Sequence, residues 1–346
     1  MAQASTRKRN LMVLAGVTAI AALMGMLSML DFSRHEQAEE IGQIVLPQFE
    51  ADVTRADRIT VKTAEESYTL SRDADEWLME EKGRYPIKLS MLADLSEALA
   101  AMTYSREMTR DPRKFDQLGL GDPETGGAGA HMTVWNVQNE EIVDLIVGFK
   151  NEGVFVRRPD ETRAWAVDTI SFPPLQRAAR WLDLDVVQIA ADNIAKVEIE
   201  TGADPIYTLD AKPELPGEFV LGAPYQDKEL VADYAPNAPG AAMTGFAPLD
   251  VVPMDNMHGS YTGRHRVYTH DGLVIEAELF VGDDGKFWVA FSEGIEAETP
   301  QAQEKLDEIE SRVAGRAFQI SRLDYSILQT RITDLVADPQ GVLTDK

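Results

Sequence analysis

Twenty consecutive uncharged residues, from Leu11 to Leu30, constrain this chain more than any other feature. As a helix rising 1.5 Å per residue, the run would be about 30 Å long, which matches the hydrocarbon core of a bilayer. The cations Arg7-Lys8-Arg9 precede it and Asp31 follows it. Because basic flanks stay on the cytoplasmic side, the pattern predicts a cytoplasmic tail over 1–10, a transmembrane helix over 11–30 and export of the remainder.

A cleaved signal peptide is the alternative, since it also combines a basic start with an apolar middle. The run here is longer than the usual apolar region of about 7–15 residues. The exit from Leu27 to Phe32 offers no small-x-small cleavage site. We therefore expect a retained anchor.

The acidic balance excludes some partners. The 346 residues contain 33 Lys plus Arg and 58 Asp plus Glu, a net charge of −25. Such a surface repels phosphate backbones, so we expect no nucleic-acid partner, and it should also stand off anionic lipid headgroups. Cysteine is absent, which excludes disulfides, thiolate metal sites and cysteine nucleophiles.

Short alternating runs separated by turn residues begin near Val53 and then recur in the same order. The pairs of corresponding segments are 59–62 and 197–200, 68–70 and 207–209, 145–148 and 279–282, and 154–156 and 287–289. The first three offsets are 138, 139 and 134 residues. We favour an internal duplication over chance similarity between strand-rich sequences. The prediction is an α+β fold with a juxtamembrane linker over 31–52 and two similar halves over 53–190 and 191–338.

Helical spacing appears in four places. Leu92, Leu95, Leu99 and Met102 predict a helix over 89–102 with Ser90 as its N-cap. The other predicted helices are a short one over 172–182 beginning at Pro173 and Pro174, a charged one over 301–314 and a closing one over 323–336. In the second half, the proline-rich stretch 236–253 leaves at most a short helix.

These segments resemble the DUF4340 family of uncharacterised bacterial envelope proteins. The motifs that carry the resemblance are an N-terminal membrane helix, 59–61, 68–70, Trp77, 115–120, 146–148 leading to 154–157, and 180–182 before 197–199. Family members often accompany ABC-type transport systems of the gliding-associated kind. The resemblance implies a periplasmic domain on a single-pass inner-membrane protein and supplies no catalytic residues.

Histidines are the first candidates for chemistry. His258, His265 and His270 fall within thirteen residues and suggest a metal site. On a strand, however, His265 and His270 would point to opposite faces, so solvated or strand-surface histidines are favoured. His35 and His131 have no evident partner.

Other motifs favour plain structural roles. Asp283-Asp284-Gly285 lacks the glutamate of a calcium loop and predicts a hairpin turn. Asp122-Pro123 and Gly126 to Gly129 predict a mobile loop, and the glycine-rich stretch 119–129 lacks the Lys-Ser/Thr ending of a phosphate-binding loop. Gly259 to Gly263 is not a nucleophile elbow, and adjacent acids such as Glu65-Glu66 do not converge. We therefore expect no catalytic residue, no cofactor and no metal.

Three functions remain open. The leading hypothesis is a non-enzymatic accessory or scaffold subunit of an envelope or ABC-transporter complex. The alternative is a periplasmic glycan-binding module using a cleft between the halves, and the third is an enzyme without a recognisable motif. Glycan binding would use exposed rings; the candidates are Trp135, Trp165, Trp181, Tyr261 and Trp288, although core packing is favoured for Trp135 and Trp288.

Overall fold

The computed structural model describes residues 40–202, 204–291, 296–297 and 299–343. The predicted membrane helix from Leu11 to Leu30 and His35 lie outside these residues. Within them, no helix has the length and apolar character needed to cross a bilayer. The described chain divides into two compact units, one formed by 40–72 and 89–177 and the other by 73–88 and 178–343.

The first antiparallel sheet contains nine strands in the order β4-β3-β2-β1-β6-β7-β8-β9-β5. These strands are β1 (Ala56–Lys62), β2 (Ser67–Asp73), β3 (Glu76–Met79), β4 (Tyr85–Pro86), β5 (Thr103–Thr109), β6 (Ala130–Asn136), β7 (Glu141–Lys150), β8 (Gly153–Arg157) and β9 (Ala164–Asp168).

The second antiparallel sheet has eight strands in the continuous order β12-β11-β10-β14-β15-β16-β18-β13, and the short β17 pairs with β15. Its strands are β10 (Ile194–Thr201), β11 (Tyr207–Ala211), β12 (Phe219–Leu221), β13 (Asp250–Pro253), β14 (Gly259–Thr269), β15 (Leu273–Gly282), β16 (Phe287–Phe291), β17 (Glu296–Ala297) and β18 (Arg316–Ile320).

Helices complete the α+β fold, so that part of the prediction is confirmed. The α-helices are α1 (Phe49–Asp52), α2 (Leu89–Ala100), α3 (Asn237–Gly240), α4 (Pro300–Val313), α5 (Arg322–Leu328), α6 (Ile332–Leu335) and α7 (Gln340–Leu343). The 3-10 segments are Val53–Arg55, Glu80–Lys82, Pro112–Leu118, Pro123–Thr125, Ala178–Trp181, Ala191–Asn193 and Met254–Asn256.

Both sheets follow one strand order. When β10 is equated with β1, the order β3-β2-β1-β6-β7-β8-β9-β5 in the first sheet matches β12-β11-β10-β14-β15-β16-β18-β13 in the second. The ladders agree residue by residue: Val61 pairs with Tyr68 and Met132, and Ile199 pairs with Tyr207 and His265. His265 thus occupies in the second sheet the place that Met132 occupies in the first.

One of the sequence-based correspondences needs a correction. The ladders equate Val143 with Ile275, because these residues pair with Val134 and Val267 respectively. The offset there is 132 residues, so the segment 145–148 matches 277–280 instead of 279–282. A shift of two residues keeps every side chain on the same face, and hydrophobic alternation alone therefore cannot detect it.

A buried tyrosine ties each sheet to the chain that follows its last long strand. The Tyr68 hydroxyl donates to the Leu175 carbonyl at 2.9 Å, and the Tyr207 hydroxyl donates to the Thr330 carbonyl at 2.7 Å. Both rings are almost fully buried. Burial raises the pKa of Tyr207 far above its usual value, so the hydroxyl keeps the proton that makes this bond.

The helix predictions have mixed outcomes. Helix α2 begins at Leu89, so Ser90 lies inside it and is not its N-cap. Helix α4 is confirmed, and its N-cap is Thr299, whose hydroxyl accepts from the Ala302 amide at 3.1 Å. The predicted helix over 172–182 is wrong, since only Ala178–Trp181 is helical. The closing helix is split into α5 and α6.

Candidate functional site

Three family-like segments meet on one face of the first sheet. Two of them, 146–148 and 154–157, lie on the neighbouring strands β7 and β8, and the third, 115–120, is distant from them in sequence. The segment 115–120 packs on β7 and β8, which carry 146–148 and 154–157. Phe115, Leu120, Ile146 and Ala164 form a buried cluster, against which Leu118 and Phe155 pack. We call these residues, together with Arg157, the motif cluster.

Arg157 is the polar centre of the motif cluster and is only 5% exposed. Its Nε donates to the Leu120 carbonyl at 3.0 Å, and its Nη1 donates to the carbonyls of Arg158 and Pro159 at 3.3 and 3.0 Å. The guanidinium lies 4.7 Å from the centre of the Phe115 ring. Burial lowers the pKa of Arg157, and the charge of Asp122 opposes that shift. The Nε hydrogen bond therefore holds the loop to the sheet at Leu120, and the two Nη1 hydrogen bonds fix the chain that follows β8.

The loop lies close to the sheet because glycines face each other at the contact. A Cβ on Gly148 would stand 2.5 Å from the Leu118 carbonyl oxygen and 2.6 Å from the Gly119 carbonyl oxygen. Gly119 itself has φ of +69°, a conformation that glycine adopts readily. Leu120, near the start of the glycine-rich stretch, is fully buried in this contact, whereas most residues of 122–128 are exposed.

Gly148→Ala is expected to destabilise the first unit by about 2–3 kcal/mol, because two backbone oxygens stand where the new methyl group would go. Chemical denaturation of the full chain in detergent measures this loss. The matched control is Gly245→Ala, whose new methyl group meets nothing within 4 Å. Equal free energies of unfolding in the two variants would show that the close approach of the Leu118 and Gly119 carbonyls to Gly148 does not limit the size of the residue at that position.

The second sheet contains an unusual buried polar group. His265 is fully buried, which corrects the prediction of a strand-surface histidine. Neither ring nitrogen has a hydrogen-bond partner of normal geometry among the described residues, and the same is true of Thr201 Oγ1 and Gln329 Nε2. Burial lowers the pKa of His265 to about 4, with the backbone of Leu328 acting in the opposite direction. The ring is therefore neutral at physiological pH.

The remaining histidines do not assemble with it. His258 and His270 are exposed, and His131 has a partner that the sequence did not reveal, since its Nε2 lies 2.6 Å from Asp144 Oδ1. Over the described ranges, no group of three or more metal-ligating side chains converges. The turn at Asp283-Asp284-Gly285 is confirmed, with the Lys286 amide donating to Asp284 Oδ1 at 3.0 Å.

Most of the aromatic candidates are buried or half-buried. Trp165, Trp181 and Trp288 are buried, as core packing predicts. Trp135 is half-buried beneath Arg58, whose guanidinium lies 5.2 Å from the ring centre. Only Tyr261 is largely exposed, at 48%. These five residues therefore do not form an exposed stacking surface.

A cavity of about 560 Å³ lies in the second unit between the segment 185–193 and helix α4. Its two cations are held by the protein itself. Lys305 Nζ lies 2.7 Å from Asp271 Oδ2, and Arg312 Nη1 donates to the Asp185 carbonyl at 2.7 Å. Hydrogen bonds from Lys305 and Thr269 lower the pKa of Asp271 well below its usual range. The polar rim thus serves to connect α4 to the sheet.

The fold and the motif cluster together define an antiparallel α+β protein in which motif residues build a packed structural centre. Residues 77–235 match DUF4340, a domain of unknown function. The chain therefore contains a DUF4340 domain, which includes all three segments of the motif cluster; the segments 59–61 and 68–70 precede it. Neither a curated protein nor a solved structure matches this chain.

Proposed function

We propose that this protein is a single-pass inner-membrane protein whose periplasmic domain acts as a non-enzymatic accessory or scaffold subunit of an envelope or ABC-transporter complex. The carrying observation is the uncharged run from Leu11 to Leu30 with three cations before it and an acidic chain after it. The transporter context comes from the resemblance to DUF4340 alone. The membrane, the compartment and the partner are all parts of the proposal.

The way the described residues use their buried polar groups supports a structural role. Asp204, for example, connects the β10–β11 turn to the C-terminal helices. Arg331 donates to its two oxygens at 3.0 and 2.6 Å, and the Thr333 hydroxyl donates at 2.7 Å. Burial alone would raise the pKa of Asp204, but these hydrogen bonds hold it below its usual value. The Asp204 carboxylate therefore stabilises the contact between the β10–β11 turn and the C-terminal helices.

We further infer that the two sheets descend from one duplicated module. Beyond the strand order, the ladders preserve two contacts on equivalent residues. A cation lies over a ring at Arg58 and Trp135 and again at Lys196 and Tyr268, and a basic side chain faces an acid at His131 and Asp144 and again at Arg264 and Glu276. A chance resemblance between two β-rich sequences would not be expected to place such pairs at corresponding positions of the two ladders.

Anchoring is tested by placing charge in the run. The pair Val17→Arg and Ile20→Arg should cost about 5–7 kcal/mol of insertion free energy at the helix centre. We expect the unmodified chain to stay in alkali-washed membranes and the arginine variant to be lost from them. The pair Val17→Leu and Ile20→Leu is the matched control. Release of the unmodified chain by plain buffer, or a mature N-terminus beyond residue 30, would overturn the proposal.

The scaffold role is tested by affinity purification of the full chain from membranes dissolved in a mild detergent. A defined set of membrane partners is the expected result. Protease treatment of spheroplasts, which should cleave the domain after Asp31, checks its sidedness in the same cells. A chain recovered alone under gentle conditions would contradict a stable complex without affecting the anchor.

A further inference from the structure

The described chain begins bound to the open edge of the first sheet. The Gly42 amide donates to the Tyr104 carbonyl at 2.7 Å, and the Tyr104 amide donates to the Gln43 carbonyl at 3.0 Å. One step further, the Val45 amide donates to the Met102 carbonyl at 2.9 Å. Residues 42–45 thus add a short paired segment to β5, although the sequence assigned them to a linker.

An arginine clamps the start of this segment. Arg163 Nη1 and Nη2 lie 3.0 and 2.5 Å from the two carboxylate oxygens of Glu40, and Nη2 lies 3.1 Å from Glu107 Oε2. Its guanidinium also stacks 4.6 Å from the centre of the Trp165 ring. Glu40 is therefore held at a defined place on the first unit, at the side of β5.

The position of Glu40 limits the distance between β5 and the predicted anchor. Nine residues, 31–39, separate the end of the predicted membrane helix from Glu40. Even a fully extended chain of that length spans only about 32 Å. The side of β5 that holds Glu40 therefore stays within about that distance of the end of the predicted membrane helix.

This edge is basic, in contrast to the rest of the chain. Residues 103–114 contain four cations and two acids, whereas the whole sequence has 33 cations and 58 acids. One of the two acids, Glu107, has a side chain that is only 6% exposed and is shared by Arg110 and Arg163. Arg110 is paired with Glu107, and Arg113 with Asp111 at 2.9 Å. The excess positive charge of this segment is therefore supplied by the exposed side chains of Arg106 and Lys114.

Two exposed apolar side chains lie in the segment paired with this edge. Ile41 and Ile44 are each 50% exposed, and Ile44 forms an isolated bridge with Thr103. Apolar side chains next to cations are the combination that enters the headgroup layer of an anionic membrane. The exposed apolar side chains and the cations therefore both favour an anionic membrane surface as the binding partner of this edge.

We propose that the β5-edge patch, formed by Ile41, Ile44, Arg106, Arg110 and Lys114, docks on anionic phospholipid headgroups of the membrane that holds the anchor. This inference rests on the proposed function, because the anchor brings the patch within reach. It revises the expectation that the acidic domain stands off the membrane. Since charges more than about 8 Å away are screened at physiological salt, the patch decides the contact, not the net charge.

The absence of cysteine allows a direct test with single fluorescent labels on the full chain. Ile44→Cys places the label in the patch, and Glu65→Cys places a control label at the exposed β1–β2 turn. In vesicles of phosphatidylglycerol, we expect an aqueous quencher to reach the Ile44 label at least about threefold less well than in phosphatidylcholine vesicles. The Glu65 label should be quenched equally in both.

Charge reversal provides the second arm. Arg106→Glu with Lys114→Glu should abolish the protection of the Ile44 label. Lys62→Glu with Arg72→Glu, the same charge change on β1 and β2, should leave it intact. Equal quenching of the Ile44 label in both lipids, or its protection in the Arg106 and Lys114 variant, would overturn the docking. An alkaline wash of the same vesicles tests the anchor separately: a chain that is retained yet unprotected refutes docking alone, and a released chain refutes both.

Discussion

Replacing His265 with methionine is expected to remove most of the acid sensitivity of the second unit. The pKa of His265 is lowered to about 4 by burial, compared with about 6.5 in an unfolded chain. Above pH 6.5 both states are neutral and the native state has no penalty. Between pH 6.5 and 4 the unfolded chain binds a proton that the native ring does not, so stability falls by about 3 kcal/mol over that window.

Methionine is the natural replacement, because Met132 occupies the equivalent place in the first sheet. At pH 7.5 we expect His265→Met to change the free energy of unfolding by no more than about 1 kcal/mol, since it removes two buried nitrogens that have no hydrogen-bond partner of normal geometry within the described part of the chain. At pH 4.5 the variant should be more stable than the unmodified chain by about 2–3 kcal/mol.

Amide hydrogen exchange between pH 4.5 and 7.5, corrected for intrinsic rates, can measure this effect unit by unit. Peptides from β14 and from 322–335 should lose protection in acid in the unmodified chain and keep it in His265→Met. His270→Met is the matched control, because that side chain is exposed at the end of the same strand. If the acid-induced loss were the same in His265→Met and in the unmodified chain, some other group would be responsible.

Arg157→Ala is expected to destabilise the first unit by about 3–4 kcal/mol. The change leaves the Leu120 carbonyl without its donor and opens a cavity beside the Phe115 ring. Arg157→Lys keeps the charge, but a single ammonium cannot reproduce the planar set of donors that reaches three carbonyls. Its loss should be intermediate, about 1–2 kcal/mol.

Urea denaturation of the full chain gives these free energies, and hydrogen exchange over 115–129 reports whether the loop separates from the sheet. Arg158→Ala is the neighbouring control. Its exposed side chain has only a 3.7 Å ion pair with Glu161, so we expect a change below about 0.5 kcal/mol. A similar loss in both alanine variants would mean that the contacts of Arg157 do not carry the stability of the loop.

Local patterns predicted the long, one-sided elements of this fold well. The alternation at 59–62 and 68–70 became β1 and β2, and the charged helix predicted over 301–314 became α4, with Leu306, Ile309 and Val313 on its buried face. These elements bury one face and expose the other, and that difference is written directly into the order of apolar and polar residues. Glycine at Gly285 likewise identified a turn that requires positive φ.

The same reasoning missed the strands at the sheet edges. Strand β5 is half-exposed along nearly its whole length and contains two register shifts, so its residues do not alternate. Strand β13 has four residues and ends in Pro253. The predicted helix over 172–182 failed because it was inferred from Pro173 and Pro174 at a helix start, whereas residues 172–177 have no regular secondary structure before the 3-10 turn at Ala178.

The motif cluster also lay beyond what a sequence can show. Phe115 lies 31 residues before Ile146 and 42 before Arg157, and nothing in that spacing states that these residues touch. The closest signal was the dense run of glycines over 119–129. Such a run is as typical of a flexible loop as of a backbone segment that packs closely against another. His265 was misread for a related reason, since a histidine on an alternating strand does not reveal what covers its face.

Composition and residue order alone account for the uncharged N-terminal run, the acidic balance, the lack of cysteine and the recurrence of strand patterns, because each depends only on a residue and its near neighbours. The packing of distant segments decided the rest. It buried His265, placed Arg157 among carbonyls and attached residues 42–45 to an edge strand with the opposite charge from the chain as a whole. Those outcomes depend on which segments lie face to face, and only folding in three dimensions determines that.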